Sequence, residues 1–327
     1  MIKLDPPSVD DVYAARERIR SFVIKTPILE SPHLNKQLNG RLLVKAEPLQ
    51  KSGSFKFRGA LNTLLQLSNT ERDSGVIAYS SGNHAQGVAL AAKILGIRAT
   101  ILMPTDAPVI KVENTKSYGA EVVHFDRYTE SREEIGERLC QERGSVLVKP
   151  YDDARVIAGQ GTVGLEINEQ LAEIGVTPDL AIVPCGGGGL ISGVSLALKS
   201  VTSNLSIYSA EPEHYDDTAM SLTAGEIVSV DPNQASICDA LLAPQPGNLT
   251  FPINRSLLSG GLVVDEDEVR NAVREAFSRL KLVVEPGGAV ALAAALSKKI
   301  DVAGKTVVVV CSGGNIDQAL FANILTP

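Results

Sequence analysis

The chain has 327 residues, enough for two domains of ordinary size or one large one. A net charge of -7 without a basic cluster, no tryptophan and few aromatic residues argue against a nucleic-acid partner or an anionic membrane surface. The four cysteines (Cys140, Cys185, Cys238, Cys311) and four histidines are scattered without disulfide or metal-ligand spacing, which fits a reducing cytoplasm.

Met1-Ile2-Lys3-Leu4-Asp5-Pro6-Pro7 is too polar and too proline-broken for a signal peptide, and no apolar run nears the roughly 20 residues a bilayer requires. Ser8, with Asp11 three residues on, predicts a capped helix running to about Arg20. Arg41-Leu42-Leu43-Val44-Lys45 predicts a strand that leads into Lys51-Ser52-Gly53-Ser54-Phe55-Lys56-Phe57-Arg58-Gly59-Ala60. There a lysine sits in a Ser/Gly loop just before an apolar helical pattern over 57–69. On its own that is an ordinary solvated turn; a Schiff-base lysine would also need such a setting.

Strand and helix then alternate. Strands are predicted over 75–79, 99–103, 121–124 and 145–148, with helices over 83–95, 108–118 and 129–143 between them. This rhythm predicts an α/β fold with mostly parallel sheets covered by helices. The block at 76–149 reads as a small α/β domain inserted into a larger one made of 1–75 and 150–327. A helix is expected over 157–174 and a buried strand over 180–184, ending at Cys185-Gly186-Gly187-Gly188-Gly189 with a helix from Leu190. A strand at 205–208 precedes the acidic Glu211-Pro212-Glu213-His214-Tyr215-Asp216-Asp217. Loops are expected over 231–253, helices over 265–280 and 287–296, and an apolar strand over 305–310 that ends at Cys311-Ser312-Gly313-Gly314-Asn315.

Four glycines between a buried strand and a helix let successive N–H groups converge at a helix N-terminus, which makes a phosphate cup. They match neither the dinucleotide fingerprint, since position 191 is Ile, nor a P-loop. A literal GxGxxG occurs at Gly159, Gly161 and Gly164, but no buried strand precedes it, so close helix packing is the better reading. Ser80-Ser81-Gly82-Asn83-His84 lies between strand and helix, where hydroxyls and N–H groups can hold a carboxylate or simply cap the helix. In open α/β sheets ligands bind outside the carboxyl ends of strands, so these loops point to one shared site.

Taken together, the lysine loop, Ser-Ser-Gly-Asn, the tetraglycine and Cys-Ser-Gly-Gly-Asn resemble the fold-type II pyridoxal-phosphate (PLP) enzymes. The branch is that of the serine/threonine dehydratases, serine racemases and hydroxyaspartate dehydratases, with a two-domain, tryptophan synthase β-like fold. The resemblance runs from Lys25-Thr26-Pro27 to Asn315 in motif order. It implies that Lys56 carries PLP and moves a proton on one face of the substrate. Phe55 would pack by the ring, Asn83 meet the ring hydroxyl, Gly186, Gly187, Gly188, Gly189 and Leu190 hold the phosphate, and Ser312 meet the pyridine nitrogen. Ser80, Ser81, Asn83, His84 and Arg132 would face the substrate. Ser81 is the candidate second acid/base on the opposite face.

The resemblance also implies a divalent-cation site at Glu211, Tyr215 (through its carbonyl) and Asp217, whose oxygen ligands suit Mg2+, Ca2+ or Mn2+. It further implies a homodimer and a small amino-acid substrate: L-serine, L-threonine or 3-hydroxyaspartate. Cys238-Asp239-Ala240 departs from the family's Ala-Asp-Gly on the substrate side. The function expected is β-elimination to a keto acid and ammonia. Serine racemisation through Lys56 and Ser81, a non-catalytic PLP-binding protein and a nucleotide-binding α/β protein stay as alternatives.

Overall fold

A computed structural model describes residues 5–80, 82–107, 109–126 and 129–326. The first helix, Val9–Ile19, begins where Ser8 and Asp11 close a reciprocal capping box. Among the described residues ten strands follow in chain order: β1 (Ile28–Glu30), β2 (Arg41–Ala46), β3 (Val76–Tyr79), β4 (Ala99–Pro104), β5 (Glu121–Phe125), β6 (Val146–Leu147), β7 (Leu180–Pro184), β8 (Ser206–Pro212), β9 (Gly260–Val264) and β10 (Thr306–Cys311). They form a six-stranded sheet in the order β1-β2-β10-β7-β8-β9 and a four-stranded sheet in the order β5-β4-β3-β6. Every pairing is parallel except β1 with β2.

β10 is apolar and buried from Val307 to Cys311 because it lies in the middle of its sheet with both faces covered. Its alternate residues face opposite ways. Val307, Val309 and Cys311 pack with the wholly buried Pro286–Leu296 helix. Val308 and Val310 pack with the Ala154–Glu173 and Gly189–Lys199 helices. The core beside the four-stranded sheet is built with the Lys56–Leu65 and Asn83–Leu95 helices.

Two stretches differ from expectation. The helix expected over 57–69 stops at Leu65, because Ser68 and Glu71 form a second capping box and start a separate Asn69–Ser74 helix. The 231–253 stretch is not loop throughout, and ordered structure continues beyond it. A short 3-10 turn covers Asp239–Leu241 and a helix covers Thr250–Leu257, followed by the edge strand β9. Pro252 is tolerated in that helix because it is the third residue, whose N–H would have no helical partner.

The glycines of 159–164 are packing positions. A β-carbon on Gly159 would lie 2.6 Å from the Gly59 Cα, and one on Gly161 would lie 2.8 Å from the Gly193 carbonyl oxygen. The Ala154–Glu173 helix therefore touches the Lys56–Leu65 and Gly189–Lys199 helices backbone to backbone.

Candidate active site

The loops after β3, β7 and β10 and the lysine loop after β2 line one cavity of about 290 Å³. β2, β10 and β7 are adjacent and parallel, so three of these loops leave one edge of one sheet. The lysine loop is stitched to the β10 loop by a bridge between Ser54 and Gly313 and by the Phe55 N–H, which donates to the Ser312 carbonyl at 3.1 Å.

Lys56 begins its helix and turns into the cavity. Its Nζ donates to the Pro150 carbonyl at 2.7 Å, and the Phe55 ring lies 5.2 Å away. Burial alone pushes its pKa down to about 8. Two residues along, Arg58 is fully buried and anchors the helix. It donates to both oxygens of Glu47 at 2.8 Å and to Glu166 at 2.6 and 2.9 Å. Lys45 donates to Glu166 at 2.6 Å and to the Thr26 carbonyl at 2.7 Å. Two cations and two carboxylates thus balance beneath the lysine.

The glycine loop ends in Gly188, whose φ of 90° suits glycine, and no side chain caps the Gly189–Lys199 helix that follows. The first-turn N–H groups of this helix are therefore free for an anion. A β-carbon on Gly187 would strike the Tyr151 ring at 2.3 Å. From behind, the Thr250 hydroxyl donates to the Gly187 carbonyl at 2.7 Å. Ser192 donates to the Asn254 Oδ1 at 2.8 Å.

Asn83 is held in one orientation. Its Nδ2 donates to Glu285 Oε1 at 2.5 Å, and its Oδ1 accepts from Asn315 Nδ2 at 2.7 Å. One amide N–H is left over for a ligand. Burial, with Asp239 adding to it, pushes the Glu285 carboxyl up to about 7, against Asn83 and Lys111.

Leu190 and Ser312 are buried and line the cavity, and Ser80 lines it as well. Ser81 lies outside the described residues. His84 sits 2.8 Å through Nε2 from the Val148 carbonyl, which can only accept, so Nε2 carries the proton and the buried Nδ1 is left as an acceptor without a partner. Burial, reinforced by Lys56, pushes its pKa down to about 3. The ring is thus held as a neutral imidazole in the cavity wall. Arg132 reaches the cavity rim half exposed, over the Tyr79 ring at 5.2 Å, with Glu133 at 2.8 Å.

The acidic residues at and after the end of β8 do not line this cavity. Glu211 is buried, and it accepts N–H groups of Thr218 and Ala219 at 2.8 and 2.9 Å. Both Asp217 carboxylate oxygens are buried, and no other described residue hydrogen-bonds to them. Burial pushes both acids up, Glu211 well above its ordinary range and Asp217 to about 8. Tyr215 is buried, and its hydroxyl donates to the Pro232 or Gln234 carbonyl, each at 2.9 Å. Among the described residues no group of three or more His, Cys, Asp or Glu side chains is placed to hold a metal, so a cation here would draw on backbone carbonyls and water as well.

Glu285, Tyr151, Thr250, Asn254 and Lys111 escaped the sequence reading. Glu285 carried one usable signal: it is a lone acid just before Pro286, Gly287 and Gly288 at the head of an entirely apolar helix.

A family profile described as pyridoxal-phosphate dependent enzyme matches residues 19–313. The chain is 42% identical over 320 residues to an L-threo-3-hydroxyaspartate ammonia-lyase of Saccharomyces cerevisiae, covering 98% of this chain and 97% of that protein. It is 41% identical over 320 residues to a serine racemase of Schizosaccharomyces pombe, covering 98% of each. Among solved structures, maize serine racemase superposes with a TM-score of 0.91 at 41% identity, covering 97% of this chain and 96% of that one.

Proposed function

The chain belongs to the pyridoxal-phosphate dependent enzymes, and from that premise we propose that it is an ammonia-lyase that eliminates water from a small β-hydroxy amino acid. The observation that carries this reading is the setting of Lys56, a half-buried amine with a lowered pKa and no carboxylate partner, on the same cavity as an uncapped, glycine-rich helix N-terminus.

The donor set fits the cofactor. The glycine loop and the N–H of Leu190 would hold the phosphate, Lys56 the aldehyde carbon, Asn83 the ring hydroxyl and Ser312 the pyridine nitrogen. Phe55 would pack by the ring. Once bound, PLP supplies an electron sink for the pair left at Cα. Lys56 Nζ takes the Cα proton, and its lowered pKa keeps part of it as the free amine near neutral pH. Ser80 and the N-terminus of the Asn83–Leu95 helix hold the α-carboxylate. The Cα–H and Cβ–O bonds break, Lys56 returns its proton to the leaving oxygen, and water departs. The released enamine hydrolyses to a keto acid and ammonia.

The test is keto-acid release by protein supplied with PLP and Mg2+, on L-serine, D-serine, L-threonine and the 3-hydroxyaspartate stereoisomers. Oxaloacetate is the expected main product, in keeping with the hydroxyaspartate ammonia-lyases among the relatives. Release of no keto acid from any of them overturns the reading.

A second reading, racemisation, draws on the identity to serine racemases. Ser81, between the cavity-lining Ser80 and Gly82, would then serve the face opposite Lys56. Ser81→Ala is expected to lower the ratio of D-serine formation to pyruvate formation at least about tenfold, since a lost proton donor is worth roughly 10²–10⁴ in rate. An unchanged ratio removes Ser81 from that role.

We also assign a divalent cation to Glu211, Asp217 and the Tyr215 carbonyl. The unpartnered Asp217 carboxylate is the support. Without a cation, a carboxyl whose pKa is raised from 3.8 to about 8 favours folding while protonated, so it loses stability as pH rises across that window. A cation that binds the ionised form reverses this loss. The melting-temperature gain from Mg2+ over EDTA should therefore grow from pH 5 to 8, and Asp217→Asn should abolish it. A pH-independent gain argues for a different site.

A further inference from the structure

Besides Lys56, three of the described side chains on the cavity wall are able to carry positive charge: His84, Lys111 and Arg132. His84 is neutral, for the reasons given above. Arg132 stands on the rim, half exposed and already beside Glu133. Lys111 differs from both. Its side chain is only 10% exposed, and its ammonium is paired with the Asp239 carboxylate, which is 47% exposed.

The two come from opposite sides of the cavity. Lys111 belongs to the Val109–Ser117 helix between β4 and β5 of the four-stranded sheet. Asp239 opens the Asp239–Leu241 turn between β8 and β9 of the six-stranded sheet. Both act electrostatically on Glu285, the acid that holds Asn83. The ammonium therefore stands near Glu285, on the wall of the same cavity as Asn83 and Lys56. A buried ammonium needs an anion. Here that anion is a half-wet carboxylate on an irregular segment, which can be exchanged.

Resting on the ammonia-lyase reading, we propose that Lys111 selects substrates bearing a second carboxylate, and that Asp239 stands in for that carboxylate in the resting site. A dicarboxylic β-hydroxy amino acid brings its own counter-ion and displaces Asp239 into solvent. Serine and threonine leave the pair closed.

The test compares the holoenzyme with Lys111→Met, Lys111→Arg and Asp239→Asn, reading the ratio of kcat/KM on 3-hydroxyaspartate to that on L-serine. A general loss of folding cancels in this ratio. Lys111→Met should lower it at least about tenfold, the scale of one charge-assisted contact. Lys111→Arg should stay within about threefold, and Asp239→Asn should raise the ratio because the internal competitor is gone. Succinate affinity by calorimetry, with propionate as control, should follow the same order without turnover. An unchanged ratio in Lys111→Met overturns the proposal, as does an Asp239→Asn loss equal to that of Lys111→Met, which would make the pair a structural tie. If no substrate yields a keto acid, the ammonia-lyase reading fails, and succinate affinity still decides the role of Lys111.

Discussion

Lys56→Ala is expected to cut keto-acid release by at least about 10³-fold, because it removes both the cofactor's covalent anchor and the base at Cα. Of the cavity's other described side chains, His84 is fixed on Val148, Arg132 is paired with Glu133 and Lys111 is paired with Asp239. None of them offers a free amine. The same variant should lose the visible absorbance of the PLP-loaded protein, which separates a chemical defect from a folding one. The pH dependence has a definite sign. Only the neutral amine attacks an aldehyde, so uptake of PLP by the apo protein should quicken as pH rises and level off above about 8. A plateau near 10.5, the ordinary lysine value, would show that the amine is not in the buried setting described.

Arg58→Met should cost about 3–5 kcal/mol of stability, the scale for removing one partner of a buried ion pair. It leaves Glu47 and Glu166 facing each other with only Lys45 to balance them. Burial would raise the Glu47 pKa, but Arg58 outweighs it and holds the carboxyl below its ordinary value. In the wild-type chain that group adds stability above the unfolded value of about 4.5, lost as pH falls through the lower folded one. In Arg58→Met the sign reverses, so the deficit in melting temperature should widen as pH rises from 5 to 8. Adding Glu47→Gln to Arg58→Met should recover part of the loss, since it removes an unpaired charge. A deficit equal at both pH values would assign the effect to lost packing of the guanidinium.

Regular periodicity made much of the architecture legible. The Asn83–Leu95 helix and β7 begin and end where the small-residue pattern and the apolar run place them. The helices and strands near residues 231–264 were hidden by Pro252 and by Gly260 and Gly261, residues that punctuate loops when their neighbours in space are unknown. Gly261 packs against Ala219, a contact no local pattern announces. At the site, Lys56, Asn83, the glycines and Ser312 could be singled out because each lies in a compositionally odd loop. Glu285 and Asn315, which fix the Asn83 amide, and Lys111 and Asp239, which meet across the cavity, depend on approaches between segments over 100 residues apart. Spacing along the chain cannot carry that information. His84 shows the converse: its position was legible, whereas its protonation state follows from burial against Val148.

The Ala154–Glu173 helix meets the helix that begins at Lys56 and the helix that begins at Gly189 through glycine, with main chain resting on main chain. It thus behaves as a gauge block. The span from amine to phosphate cup is set by the thickness of a bare helix, which does not vary with the side chains of either core. Drift in those cores can then alter stability without mistuning the span across which the cofactor must fit. The same gauge leaves no slack: a single methyl at Gly159 or Gly193 would jack the two halves of the site apart before any ligand arrived.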